Sequence, residues 1–168
     1  VANGNGVWQA AYSAGEIPAG TYVADITATT TDAAGNTRVV TDSVNVDTNV
    51  DNLSVSADII ETDNVISGAE RSDGVVLTGT TEPGSTVSVT VGTETVQAVV
   101  DANGNWTANF TASQIPTGEL TTNVTVDATD AAGNTASVTD TVRIDTLVNE
   151  LEFSSSAIAT DNVVNGAE

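Results

Sequence analysis

Thr129-Asp130-Ala131-Ala132-Gly133-Asn134-Thr135 stands in the chain twice, since the same letters occupy Thr31-Asp32-Ala33-Ala34-Gly35-Asn36-Thr37. The two copies lie 98 residues apart. Sliding the sequence on itself by that offset also superimposes Trp8 on Trp106, Ile17-Pro18 on Ile115-Pro116, Asp47-Thr48 on Asp145-Thr146 and Thr62-Asp63-Asn64-Val65 on Thr160-Asp161-Asn162-Val163, with no insertion or deletion. About half of the overlapping positions are identical. A register kept so strictly identifies tandem copies of one structural unit. Residues 1–47 align with 99–145 and are read as the C-terminal part of a repeat, 48–145 as a complete repeat, and 146–168 as the N-terminal part of the next.

Within the complete repeat, Leu53–Ala57, Val75–Gly79, Thr86–Val91, Thr95–Val100, Trp106–Phe110, Leu120–Val126 and Ser137–Ile144 are short runs rich in Val and Thr. Their period of two is that of half-buried strands. Turn formers separate them: Glu82-Pro83-Gly84-Ser85, Gly92-Thr93-Glu94, residues 101–105, Pro116-Thr117-Gly118 and residues 130–134. No interval carries a convincing amphipathic helix. Seven short strands with a turn every ~8 to 12 residues predict an all-β chain of tandem immunoglobulin-like β-sandwiches. The Cys pair and third-strand Trp of antibody domains are both missing. Trp106 opens the fifth strand instead and is read as a core anchor with Ile115, Leu120, Val124 and Val126, because Trp8 holds the same place in its own repeat. Antiparallel strands alternate in direction, so the loops at 82–85, 101–105 and 130–134 share one end of the sandwich. The incoming segment Asp47-Thr48-Asn49-Val50-Asp51-Asn52 arrives at that end.

Charge narrows the chemistry. The 168 residues carry 23 acids against three bases, Arg38, Arg71 and Arg143, for a net charge of −20. Nucleic acid and anionic membrane surfaces want Lys and Arg, so neither is expected as a partner. Without Cys no disulfide can form, and without His or Cys there is no Ser-His or Cys-His nucleophile pair and no ordinary zinc site. Only a carboxylate pair of glycosidase type remains for catalysis, and a repeated module with no distinct cleft residues is a poor home for one. No enzyme is expected. No apolar run approaches the ~18 residues of a membrane span, and no basic, apolar leader is present, so the segment is expected neither to insert nor to export itself.

Hard cations are the partners this composition suits. Calcium takes six to eight oxygens at ~2.3 to 2.6 Å from carboxylates, amides, carbonyls and water. The shared end offers Asp47, Asn49 and Asp51 from the junction, Glu82 from one loop, Asp101 and Asn103 from the next, and Asp130 and Asn134 from the last, with Asp145 repeating the place of Asp47. The alternative for the same residues is a solvated surface with Asx-turns in the loops. A second acidic stretch, from Glu61 through Asp63, Glu70 and Arg71 to Asp73, lacks the EF-hand ladder, and its alternative is a solvated loop with Arg71 paired to Glu70 or Asp73. The threonines suit strands and do not by themselves define a carbohydrate- or ice-binding face. Asn-x-Ser/Thr matches such as Asn105-Trp106-Thr107 arise by chance in a chain so rich in Asn and Thr.

In combination and order, the turn from Gly79 to Ser85, the stretch Ala102-Asn103-Gly104-Asn105-Trp106, the recurring Asp-Ala-Ala-Gly-Asn loop and the closing Ile144-Asp145-Thr146 resemble the tandem bacterial Ig-like repeats of giant surface adhesins, both biofilm-associated and type I-secreted. The resemblance covers the whole chain. It implies an extracellular, non-catalytic spacer in which calcium sits where the terminal Asp of one repeat meets the loops of the next, and whose partners are adjacent repeats of the same chain. Asp47 and Asp145 match the terminal Asp, and Asp130 with Asn134 the loop. The junctions depart from each other after that residue, Asn49-Val50-Asp51-Asn52 becoming Leu147-Val148-Asn149-Glu150. A rod-like extender of a bacterial surface adhesin, its distal target unspecified, is the resulting expectation. The alternative is self-association into an extracellular filament or surface layer built from the same repeats. A third reading is a halophile's domain whose acids serve solvation.

Overall fold

The computed structural model describes residues 6–56 and 63–149. Two 11-residue strands, β1 (Thr21–Thr31) and β2 (Thr37–Asp47), form an antiparallel hairpin. The next unit follows as β3 (Ser54–Val55), β4 (Val65–Ser67), a short helix α1 (Gly68–Asp73), β5 (Val75–Thr80), β6 (Thr86–Val91), β7 (Glu94–Gln97), β8 (Val99–Val100), β9 (Asn105–Phe110), β10 (Glu119–Thr129) and β11 (Thr135–Asp145). Its strands make two sheets, β4-β11-β10-β6-β7 and β3-β5-β9-β8. Their inner faces share one core in which Val87, Val89, Val91, Val124, Val126, Val142 and Ile144 meet Val75, Leu77, Trp106, Ala108 and Phe110. The alternation of Val with Thr produces this directly, since a period of two sends every second side chain inward. Trp106 is fully buried, and its Nε1 donates to the carbonyls of Ser54 and Thr80 at 3.1 Å each, tying β9 to both β3 and β5.

Three expectations need correction. The run Thr95–Val100 is not one strand: β7 pairs with β6, the Ala98 N–H then donates to the Val87 carbonyl, and β8 pairs with β9 in the other sheet. Val96, Ala98 and Val100 pack on the core throughout, so alternation alone cannot reveal the crossing. Leu120 is 37% exposed although it shares the inward parity of Val124 and Val126, and it lies on the stretch of β10 before Val124 that β6 does not pair with. A helix does form. Ser67 and Glu70 cap α1 reciprocally, the side-chain oxygen of each accepting the other's backbone N–H, and no residue of α1 is buried, which is why no amphipathic pattern announces it. Just before it, β4 runs parallel to β11 at the sheet edge.

The first hairpin repeats β10 and β11 but not their surroundings. Residues 7–12, the counterparts of β9, form no strand, and Trp8 is 54% exposed. Among the described residues no helix is long and apolar enough to cross a membrane. The expected opening of another repeat at 146–168 lies almost wholly outside the described residues.

Candidate metal centre

Asp47 closes β2 and delivers its carboxylate to the end of the following sandwich. The segment after it is pinned on both sides. Thr48 Oγ1 accepts the Gly20 N–H at 2.7 Å, which ties the exit of the hairpin to its entrance, and Val50 is buried in the core of the next unit. Between these anchors Asn49 Nδ2 donates to Asp51 Oδ1, and the Asp51 N–H donates to Glu82 Oε2 at 3.3 Å. Asn52, at φ 59°, then turns the chain into β3.

Two loops meet this segment. Glu82 lies half-buried between β5 and β6, on a loop braced by the Thr81 N–H, which donates to the Gly104 carbonyl at 2.8 Å. Asp130 follows β10 and is only 7% exposed. Its Oδ1 accepts the Asn134 N–H at 2.8 Å and its Oδ2 accepts Asn134 Nδ2 at 2.7 Å. The same Nδ2 reaches Asp47 Oδ1 at 3.2 Å, a bond from the loop of the sandwich to the last residue of the hairpin before it. Gly133, at φ 92°, supplies the left-handed residue this turn needs. Burial works against ionisation of Asp130, but the Asn134 side chain and the backbone N–H groups of Asn134, Gly133 and Ala132 outweigh it and hold the carboxyl below the usual aspartate range.

Carboxylate oxygens of Asp47, Glu82 and Asp130 all lie within 4.8 Å of one another. Two oxygens on opposite sides of a calcium ion, each ~2.4 Å from it, are ~4.8 Å apart, so this spacing is the widest at which groups share one ion. The donors are all oxygen, which suits a hard divalent cation and not a soft one. Among the described residues no arginine neutralises the group, the ion pairs being those of Arg143 with Glu119 and Asp145. The fit has a further mark. Thr81 and Ser85, flanking Glu82 on its loop, bury hydroxyls that have no hydrogen-bond partner among the described residues. Orphaned polar atoms of that kind are costly, and oxygens are the ligands calcium takes.

The remaining expected ligands fall into three groups. Asn49, Asp51 and Asn134 are hydrogen-bonded onto the three carboxylates or their neighbours. Asp101 and Asn103 are exposed, and Asp101 is not one of the three. It is turned on its own loop, Oδ1 accepting the N–H groups of Asn103 and Asn105 and Oδ2 accepting Asn105 Nδ2. Those Asn105 bonds, from side chain and then backbone, set its carboxyl low. Asp32 makes the same turn with Asn36 in the first repeat, so the turn belongs to the loop sequence whether or not an acid arrives beside it. Asp145 pairs with Arg143 Nη2 at 2.8 Å. In the second acidic stretch Glu61 and Thr62 lie outside the described residues. Asp63 accepts the Val65 N–H, Glu70 caps α1, and Arg71 pairs with neither acid: its Nε donates to the Ile115 carbonyl at 2.9 Å. The bond from Asn134 to Asp47 and the orphaned hydroxyls were beyond sequence reasoning. The joint recurrence of Asp-Thr and Asp-Ala-Ala-Gly-Asn signalled the junction, and nothing in it pointed to Thr81 or Ser85.

Comparison with known proteins gives one family match and several structural likenesses. The sequence profile of the bacterial Ig domain matches residues 61–145. A solved structure of a Ca2+-stabilised adhesin that helps an Antarctic bacterium reach out and bind ice is 32% identical, the alignment covering 86% of this chain and 37% of that one at a TM-score of 0.44. A structure bearing on host cell surface retention of a 1.5-MDa bacterial ice-binding adhesin is 30% identical over 75% of this chain and 42% of that one, at 0.45. A bacterial immunoglobulin-like domain from the M. primoryensis ice-binding adhesin is 29% identical over 58% of this chain and 96% of its own, at 0.41. These overlays are loose, and the family assignment rests on the sequence match. This chain spans 37% and 42% of the first two solved chains. No curated protein gives a significant match.

Proposed function

The chain belongs to the bacterial Ig domain family, and from that premise we propose that it is a non-catalytic extender segment of a bacterial cell-surface adhesin, stiffened by calcium at the junction between repeats. In this reading residues 1–47 end one repeat, 48–145 make the next and 146–168 begin a third. The array is extracellular, and its partners are its own neighbouring repeats. One observation carries the proposal: of the three carboxylates that share a 4.8 Å neighbourhood, Asp47 closes the hairpin whereas Glu82 and Asp130 stand on loops of the sandwich that follows. An ion held by all three ties the end of one rigid unit to the loops of the next. Asn134 aids this by orienting Asp130 and Asp47 through one amide, and Val50 by burying the linker between them. Calcium would supply the positive charge that no arginine brings to these acids.

The test is a calcium titration of the full chain by calorimetry and small-angle scattering, in high monovalent salt so that charge repulsion along the chain is screened to well under ~8 Å. Calcium is expected to bind with a stoichiometry of at least one and to lengthen or narrow the distribution of particle dimensions. Asp130→Asn should weaken binding and remove that change while the sandwich stays folded. A mutant as extended as the parent in calcium and high salt would exclude Asp130 as a junction ligand.

A further inference from the structure

The strand that closes the sandwich carries near its end a positive charge that the first hairpin lacks. Arg143 and Asp145 stand two residues apart on β11 with Ile144 buried between them, so both side chains lie on the outer face of the sheet. Glu119 is the Cα partner of Asp145 on β10. Two carboxylates directly opposite each other on antiparallel strands repel, and Arg143 serves both: its Nη2 lies 2.8 Å from Asp145 Oδ2 and 3.7 Å from Glu119 Oε1. The Arg143 backbone is held by β4, its N–H donating to the Asn64 carbonyl at 3.2 Å. At the same places 98 residues earlier stand Thr21, Asn45 and Asp47, where Asp47 is the one charged group. Thr21 is the Cα partner of Asp47, and its Oγ1 donates to Asp47 Oδ1 at 3.3 Å. Asp47 thus receives the uncharged donors Thr21 and Asn134, whereas Asp145 already holds a cation. The linkers diverge as well. Leu147 replaces the amide of Asn49 and Asn149 the carboxylate of Asp51, the next acid being Glu150 where the first linker has Asn52.

We propose that Arg143 is a built-in cation that competes with calcium for Asp145, so that the junction after β11 responds to calcium at higher concentrations than the junction after β2. The inference rests on the reading of Asp47 as a calcium ligand and adds what sets the affinity of each junction. A guanidinium stays ionised at every physiological pH and meets a carboxylate through direct N–H···O bonds. Calcium must part Asp145 from it and then bind with the freed charge nearby. A unit positive charge ~6 Å from a divalent ion weakens binding by about tenfold even under water-like screening. Glu119 offsets part of that repulsion, but it is the farther of the two acids from Arg143 Nη2. The Arg143 side chain is 52% exposed, and exposed ion pairs are weak. The competition therefore shifts the calcium range of Asp145 and does not close it. A chain with both kinds of junction stiffens in stages as calcium rises, the one at Asp47 first.

The experiment moves the charge pair into the first junction, where the three carboxylates already meet. Calorimetric calcium titrations of the full chain compare the parent with Asn45→Arg, with the double variant Thr21→Glu plus Asn45→Arg, and with Asn45→Gln, Asn45 being exposed on β2. Far-UV circular dichroism and continued shielding of Trp106 from acrylamide check that each variant is folded. Asn45→Arg should raise the calcium Kd by ~tenfold and the double variant by at least ~threefold, while Asn45→Gln, which lengthens the side chain without charge, should stay within ~twofold of the parent. In the reverse direction, Arg143→Gln should lower the melting temperature in chelator, and calcium should narrow that gap because the ion then reaches Asp145 and Glu119. A parent that binds no calcium overturns the junction reading and this inference with it. A parent that binds calcium no more tightly than Asn45→Arg, or a Gln variant as weak as the Arg one, overturns this inference alone. So does a melting gap for Arg143→Gln that is the same in calcium and in chelator.

Discussion

Trp106→Ala asks whether the repeat has one core or two loosely associated sheets. The indole is fully buried, and its Nε1 donates to one carbonyl of β3 and one of β5. A buried Trp removes ~150 to 250 Å² from water, and at ~25 cal/mol per Å² the transfer term alone is ~4 to 6 kcal/mol. Partial collapse of the site trims this, so the expected loss is ~3 to 5 kcal/mol, a large share of the ~5 to 15 kcal/mol that stabilises a domain. Gly79 leaves little room for relaxation, since the ring lies where its Cβ would stand. Urea unfolding of the full chain followed by far-UV circular dichroism measures the change without relying on the lost fluorophore. Trp8→Ala is the internal control, the same residue at the same repeat position but 54% exposed, and it should fall within ~0.5 kcal/mol of the parent. A Trp106 loss below ~1 kcal/mol, or equal losses at both sites, would refute the claim that the sheets share a core built on this ring.

Calcium at a hundredfold excess over its dissociation constant should raise stability by ~2.7 kcal/mol, and Glu82→Gln should remove most of that rise in a melting experiment whereas Asp101→Asn should keep it. Coincident melts in calcium and chelator at fixed ionic strength would leave the acids as solvated surface. In chelator, acid titration should expose the turn carboxylates. Asp101 and Asp32 are held low chiefly by the side chains of Asn105 and Asn36, and Asp130 is held low by its Asn134 bonds despite burial. Folded values below unfolded ones mean that their contribution is present above about pH 4 and is lost as pH falls through the lowered folded values, so a urea midpoint that stays flat from pH 5 to 2 would contradict the assignment. Gly104→Ala drives a Cβ into the Thr81 carbonyl at a φ of +83° and should unfold or severely weaken the unit, while Gly133→Ala, at +92° but with open space around it, should cost only ~1 to 3 kcal/mol of backbone strain. Equal melting temperatures for the two variants would mean that the approach of residues 101–105 to Thr81 is not needed.

Much of the sandwich was legible because one physical rule, alternation on a pleated surface, governs β5, β6, β9, β10 and β11 alike. Where the rule is silent the reading failed. Val96, Ala98 and Val100 alternate correctly through a change of sheet, since both sheets face the same core. Leu120 has inward parity yet stays exposed on the stretch of β10 that β6 does not pair with, and nothing in β10 itself marks where that pairing stops. The three residues of β4 are too few to show a period, and α1 rests on its Ser67–Glu70 cap with no apolar stripe to announce it. At the junction, strand direction was enough to bring Asp47 to the loops of the next unit. It could not separate Asp130, held beside Asp47 through Asn134, from Asp101, whose identical type of turn points its carboxylate at its own backbone. Local sequence sets the turn in both, and only the packing of the neighbouring repeat makes them different.

The parallel pairing of β4 with β11 bears on how the unit carries load. The chain enters from Asp47 at the end where β11 starts and leaves at Asp145, where β11 stops. Tension applied along an array therefore pulls β4 toward one end and β11 toward the other, sliding the two strands past each other along their length. The pairs Arg143–Val65, Ile144–Ile66 and Asp145–Ser67, together with the Arg143 N–H on the Asn64 carbonyl, resist that slide at the same moment. A hairpin pulled from its open ends gives way one bond at a time, like a zip. Strands sheared in this sense must break their cross-links together, so the weakest edge of the sheet by length is set in the direction where it yields last.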